Sequence, residues 1–190
     1  DAPLDMRMSK QGLSAYDVVN TYDERDISRI LRDYGEEKFV QRIARSIVQY
    51  RQEKPIEMTL ELAEIIKNAI PAATRRTGGH PAKRSFQAIR IEVNGELQKL
   101  QDTLDDMFYS LKPEGRLAII TFHSLEDRIV KNYFRRESTQ CVCPPGLPVC
   151  CCGHAATLEV LTKRAVTASA EELKINSRSA CAKFRAAEKL

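Results

Sequence analysis

No apolar stretch in this 190-residue chain approaches the ~18 consecutive residues that a membrane-spanning helix needs, and no signal-peptide pattern opens it. The cytoplasm is therefore the default expectation. Cysteine is nearly absent outside one short segment: five of the six fall within 141–152, and Cys181 stands alone as a packing residue. That distribution argues against the dispersed disulfide framework of a small secreted domain. No internal repeat is present, which removes solenoid and propeller architectures. A starting Met is lacking too. Asp1 opens the chain and residues 3–8 read as mid-protein sequence, so a piece of a longer protein is expected.

What the chain does hold is 43% hydrophobic and 29% charged residues, enough for one substantial core and a smaller annex. Its net charge of +4 is uneven. Residues 128–190 carry 11 Lys/Arg against 5 Asp/Glu, whereas 1–127 carry 19 against 21. A basic C-terminal third suits a polyanion such as RNA, and equally a solvated basic surface.

The chain is organised around 115–128. Residues 117–122 form a nearly unbroken apolar run after Gly115, which predicts a strand buried on both faces of a parallel sheet. Ser124 follows as a candidate N-cap, with Asp127 three positions on. Leu125, Ile129, Val130, Tyr133 and Phe134 then recur at helical spacing, with Arg128, Lys131, Arg135 and Arg136 between them. His123 and Ser124 thus sit where a buried strand ends and a helix begins, the edge at which ligands collect in open α/β sheets.

Residues 14–70 read as helices throughout. Ser14 caps a short turn carrying Tyr16, Val18 and Val19. Asp23 caps a helix with Ile27, Ile30, Leu31 and Tyr34 on one face, ended by Gly35. Phe39, Ile43, Ile47 and Tyr50 make an amphipathic stripe stopped by Pro55, with Lys38, Arg42, Arg45 and Arg51 on its solvated side. Thr59 caps a further helix carrying Leu60, Ala63, Ile66 and Ile70, closed by Pro71. A hinge with Arg75, Arg76, Gly78 and Gly79 follows. From Pro81 to Leu111, apolar residues recur at spacings of three or four. They predict one helix of about eight turns, or two if Asn94-Gly95 breaks it. Later come a second strand candidate at 158–166 and a capping box at Ser169 and Glu172. Residues 176–189 read as a last strand or as a basic tail holding Arg178, Lys183, Arg185 and Lys189. The opening 1–8 has no period; its Asp5 and Arg7 either pair internally or face a substrate.

Cys141-x-Cys143 and Cys150-x-Cys152 are two thiolate pairs across a Pro-rich turn, enough for a tetrahedral zinc site. His154 is the alternative fourth ligand, and Cys151 would point away. Zinc would supply ~10 kcal/mol or more of ordering energy to a loop with little core. Disulfides and free thiols are the other two readings of the cluster.

Several strings together carry a family resemblance: the loop 1–8 around Asp5-Met6-Arg7-Met8, Asp17-Val18-Val19-Asn20, Tyr34-Gly35-Glu36-Glu37, His80-Pro81-Ala82 and Ser85-Phe86-Gln87-Ala88-Ile89-Arg90. Phe122-His123-Ser124-Leu125-Glu126-Asp127-Arg128, Asn176-Ser177-Arg178 and Lys183-Phe184-Arg185 extend it over essentially the whole chain. These residues resemble the bacterial 16S ribosomal RNA (cytosine-N4)-methyltransferase family.

The resemblance implies a class I, S-adenosylmethionine-dependent enzyme: an α/β chain with part of a Rossmann-like methyltransferase sheet and an inserted α-helical subdomain. Residues 1–13 would be a loop of the methyltransferase domain and 14–79 the helical insertion and hinge. Residues 80–190 would be the C-terminal part of that domain, with 116–122 as its fifth strand and the cysteine-rich knuckle at 141–154. It implies methyl transfer to the exocyclic N4 of a cytosine in small-subunit rRNA, with the 30S subunit as partner and a homodimer left open. The family's glycine-rich cofactor loop and ribose-binding acid fall before Asp1. The cofactor site is therefore expected to be largely missing, and the chain inactive alone. Gly95 is a further departure, standing where a better helix former is expected. On this resemblance Asp5 and Arg7 order a loop at the cofactor edge, and His123 and Ser124 line the same mouth, with Asp5, His123 and Ser124 as candidate catalytic residues. Arg7, Arg84, Arg128, Lys131 and Arg178 would contact rRNA phosphates, which positions a substrate without reading its sequence. A non-enzymatic rRNA-binding module built on a zinc knuckle and basic tail is the competing reading.

Overall fold

Polar caps set the starts of several helices, and apolar stripes set which faces are buried. The computed structural model describes the chain except residues 77–78 and 145–148 and the side chain of Arg76. Gly78 of the hinge and the Pro-rich tip of the knuckle thus lie outside the described residues. The rest divides into two compact units, Asp1–Glu96 and Leu97–Leu190.

In the first unit Ser14 caps α1 (Ala15–Thr21) in a capping box with Asp17, and Asp23 caps α2 (Glu24–Asp33). α3 (Val40–Arg51), α4 (Thr59–Ala69) and α5 (Lys83–Asn94) complete the bundle, with a 3-10 turn at Thr74–Arg76. Val18, Ile30, Leu31, Ile43, Ile47, Leu62, Ile66 and Ile89 fill its core. Each such side chain contributes roughly 1.5–3 kcal/mol by leaving water.

The helices depart from the expected pattern at Thr59, Leu60 and Arg51. Thr59 does not cap α4; Met58 stands at the cap position without a side-chain bond. The Asp1 carboxylate instead accepts the Leu60 N–H at 2.9 Å and the Thr59 hydroxyl at 3.0 Å. A carboxylate suits the positive end of a helix dipole whatever part of the chain supplies it. Leu60 is exposed, and Leu62, Ile66 and Ala69 form the buried face. Arg51 is not solvated either. Its guanidinium donates to the carbonyls of Val19 (2.7 Å) and Tyr22 (2.5 Å), satisfying the C-terminal end of α1.

The long helical stretch resolves into two. Gly95 adopts φ +59°, where a Cβ is penalised, and ends α5 before α6 (Glu96–Ser110) begins. The residue that looks misplaced in a helix is the one that breaks it.

The second unit holds most of α6, then β1 (Arg116–Thr121), α7 (Ser124–Glu137), β2 (Leu158–Val160), α8 (Ala170–Ile175), a 3-10 turn at Ser177–Cys181, and β3 (Lys183–Lys189). The strands form one antiparallel sheet in the order β1-β3-β2, with Leu117 and Val160 both opposite Ala187. Residues 117–121 do supply a strand, which stops short of Phe122, but its observed pairing is antiparallel and it is not buried on both faces. Leu117 and Thr121 are buried, whereas Ile120 is 58% exposed. An unbroken apolar run places side chains on both faces, and here only one is covered. α6 and α7 cover it by packing Leu104, Phe108, Val130, Tyr133 and Phe134 against Leu117, Leu158 and Ala187. Residues 183–189 are a strand, the middle one, and not a tail. No helix among the described residues is long and apolar enough to cross a membrane.

Candidate functional site

In the first unit Asp5 and Arg7 pair fork to fork, Nε to Oδ1 at 2.6 Å and Nη2 to Oδ2 at 2.9 Å. Those bonds, and one from the Arg7 backbone N–H, hold the Asp5 carboxyl below its ordinary value, so it is ionised at neutral pH. The loop is stapled to α5 by Asn94, a buried residue that sequence reading notes only as a possible break. Its Oδ1 accepts the Met8 N–H at 2.8 Å, and its Nδ2 donates to the carbonyls of Met6 and Arg90, both at 2.9 Å. Met6, held between these bonds, takes φ +58°, a conformation rare for a residue with a Cβ. The available signal was an amide inside an apolar helical period, since a buried amide must have partners.

Beside this loop lies a groove of about 620 Å³ within the same unit. Met6, Ala63 and Phe86 give it apolar walls; His80, Gln87 and Arg90 give it polar edges. Ligand sites typically span ~300–1,000 Å³ and mix surfaces in this way. Arg84 is exposed and donates to the Glu36 carbonyl at 2.8 Å.

In the second unit the cap of α7 is His123 and not Ser124. Its Nδ1 accepts the Glu126 N–H at 3.3 Å, and Glu126 Oε2 accepts the N–H groups of Phe122 (2.8 Å) and His123 (3.2 Å). The imidazole is 8% exposed, with Nε2 3.4 Å from Glu126 Oε1. Ser124, the first helical residue, is exposed. Asp127 turns inward and clamps β3. It accepts Arg185 Nε at 2.7 Å and Lys183 Nζ at 3.2 Å, and these cations, Arg185 first, hold its carboxyl below the ordinary value against the cost of burial. Lys189 donates to the carbonyls of Phe108 (3.2 Å) and Leu111 (2.7 Å), ending α6. Three cations of the expected basic tail are therefore used inside the fold. Arg178 remains exposed, as do Arg128 and Lys131 along α7.

The four paired cysteines also come together: the sulfurs of Cys141, Cys143, Cys150 and Cys152 lie within 4.8 Å of one another, all as free thiols. Cys152, receiving backbone N–H groups of His154 and Val142, is lowered to about 6. Cys141 accepts the Cys143 N–H, yet the neighbouring sulfurs of Cys150 and Cys143 push it up to about 12. His154 Nε2 lies 3.0 Å from the Arg136 carbonyl.

The turn from β1 into α7 holds no glycine and is closed by the His123–Glu126 capping box.

A chain of one helical and one mixed α/β unit, with a stapled acidic loop and a basic helix, is compatible with an α/β methyltransferase. The chain belongs to the MraW methylase family, whose model matches residues 1–190. Among curated relatives it is 56% identical over its whole length to ribosomal RNA small subunit methyltransferase H of Brevibacillus brevis, covering 61% of that protein. It is also 56% identical over its whole length to proteins of the same name from a Paenibacillus species and from Clostridium botulinum strain Kyoto, covering 60% and 62% of them. The chain thus spans about three fifths of the length of the curated relatives it matches.

Proposed function

We propose that this chain is the substrate-side part of an S-adenosylmethionine-dependent methyltransferase that modifies the exocyclic N4 of a cytosine in small-subunit rRNA. In this reading the two units belong to a Rossmann-like methyltransferase domain and its helical insertion, and the donor is held by residues of the longer protein outside this chain. The single observation that carries it is the family match across all 190 residues, together with relatives named as small-subunit rRNA methyltransferases. The Asp5 loop and the groove beside it support a reading of how the substrate would be received. A cytosine must leave its stack to be modified, and Phe86 offers an aromatic ring and Met6 a polarisable apolar side chain for such a base to pack on. Its amine is a weak nucleophile, because the lone pair is delocalised into the ring. The Asp5 carboxylate, ionised and fixed by Arg7, is an acceptor suited to the charge that develops on that amine. The exposed Arg128, Lys131 and Arg178 meet phosphates in this scheme.

The test is methyl transfer by the full-length protein from labelled S-adenosylmethionine to small-subunit rRNA, with N4-methylcytidine read by nucleoside mass spectrometry. Asp5→Asn should cut turnover by about 100-fold. Label on another nucleoside, or none on rRNA, overturns the reading.

A further inference from the structure

The cysteine knuckle is the one motif that the chemistry of methyl transfer leaves unused, and its geometry is more specific than its sequence. A zinc ion bound by four thiolates at ≈ 2.3 Å requires sulfurs about 3.8 Å apart along the edges of the tetrahedron. The observed separations are 3.5 Å for Cys141–Cys150, 3.9 Å for Cys143–Cys150, 3.5 Å for Cys150–Cys152 and 3.8 Å for Cys152–Cys141. Three of these four residues are exposed, so hydrophobic burial does not explain why they converge. Both C-x-C pairs contribute, and Cys151 is left outside the quartet, 4.0 Å from the Cys143 sulfur. His154, the rival ligand, is already engaged: its Nε2 meets the Arg136 carbonyl near the C-terminal end of α7 at 3.0 Å. Three residues on, the Thr157 N–H donates to the Glu137 carbonyl at 2.8 Å, pinning the entry to β2 to the same helix end.

We propose that Cys141, Cys143, Cys150 and Cys152 form a four-thiolate zinc site that closes the α7–β2 connection, with His154 as its tether to α7 and not a ligand. The metal ties a loop of little core to a helix end that already offers two carbonyls. It needs no open coordination position, so the site is structural and not catalytic.

The experiment uses the full-length protein purified without chelator or histidine tag, with metals measured by inductively coupled plasma mass spectrometry. One zinc per chain is expected. Cys143→Ser and Cys152→Ser should lose it, while Cys151→Ser and His154→Ala keep it. Because a ligand variant can misfold, the wild-type protein is also exchanged with cobalt. Tetrahedral d–d bands with thiolate charge transfer then report four sulfurs without any substitution. Absence of metal with all clustered thiols freely reactive, iron in place of zinc, or loss of zinc from His154→Ala would each overturn the proposal. None of these readouts involves methyl transfer, so their failure would leave the proposed function standing.

Discussion

Asn94 spends every polar atom it has on holding the loop: three hydrogen bonds from one amide fix residues 6–8 and the last turn of α5. Asn94→Ala is expected to lower the stability of the first unit by about 2 kcal/mol, since the Met8 N–H and the Met6 carbonyl lose their partner. Circular dichroism melting of the full-length protein checks this, and an unchanged Tm would mean that the loop supports itself. His123 separates two roles that a simple alanine variant would confound. His123→Ala removes a cap and should cost about 1 kcal/mol, whereas His123→Asn keeps a capping acceptor and should melt near the wild-type temperature. If the imidazole also serves the reaction, turnover at saturating donor falls about tenfold or more in both variants. That fall is the expected outcome, and wild-type turnover in His123→Asn would leave the ring as a cap alone.

At the scale of elements, β3 explains where sequence reading stopped. Lys183, Arg185 and Lys189 alternate with Phe184, Ala186 and Glu188, so the side of β3 that meets α6 and α7 is cationic and resembles a solvated tail in one dimension. Only the inward turn of Asp127, which a helix-start rule assigns to the dipole, reveals the clamp. Asp127→Ala should destabilise the second unit by about 3 kcal/mol, because Arg185 is left buried without a counter-charge. The clamp also sets an acid limit. The Asp127 carboxyl titrates below its ordinary 3.8 when folded, so its stabilisation is complete above that pH and is lost as pH falls through the folded value. Melting temperature measured against pH should therefore fall less steeply on the acid side in Asp127→Asn than in the wild type. Elsewhere local rules sufficed. α1 and α2 follow their caps and α3 its stripe, while α4 takes its cap from Asp1, a long-range contact that no local window contains.

For the whole molecule, the helical unit was legible because each helix carries its own period. The sheet was legible only as strands, since register and partner order arise from contacts between distant segments. The same limit applies to the candidate site. Asp5 and Arg7 could be named from their alternation, but the staple that fixes them lies 86 residues or more away in sequence. Charge counts misled in a related way, since the internal cations of β3 inflate the apparent basic surface. Arg128 and Lys131 on α7 are the exposed cations for which a phosphate role is expected. Replacing both by Ala should weaken rRNA binding and reduce the slope of log K against log salt by about 2. Filter binding across a salt series measures it, and an unchanged slope would take α7 off the RNA surface.

Because β3 lies between β1 and β2, the sheet behaves like an arch whose keystone is set last. During synthesis β1 emerges more than sixty residues before the segment that pairs with it, and until then both outer strands carry open backbone edges. A premature stop ahead of Lys183 would remove the strand with which both β1 and β2 pair, so this three-stranded pairing should be lost in one step and not by gradual fraying.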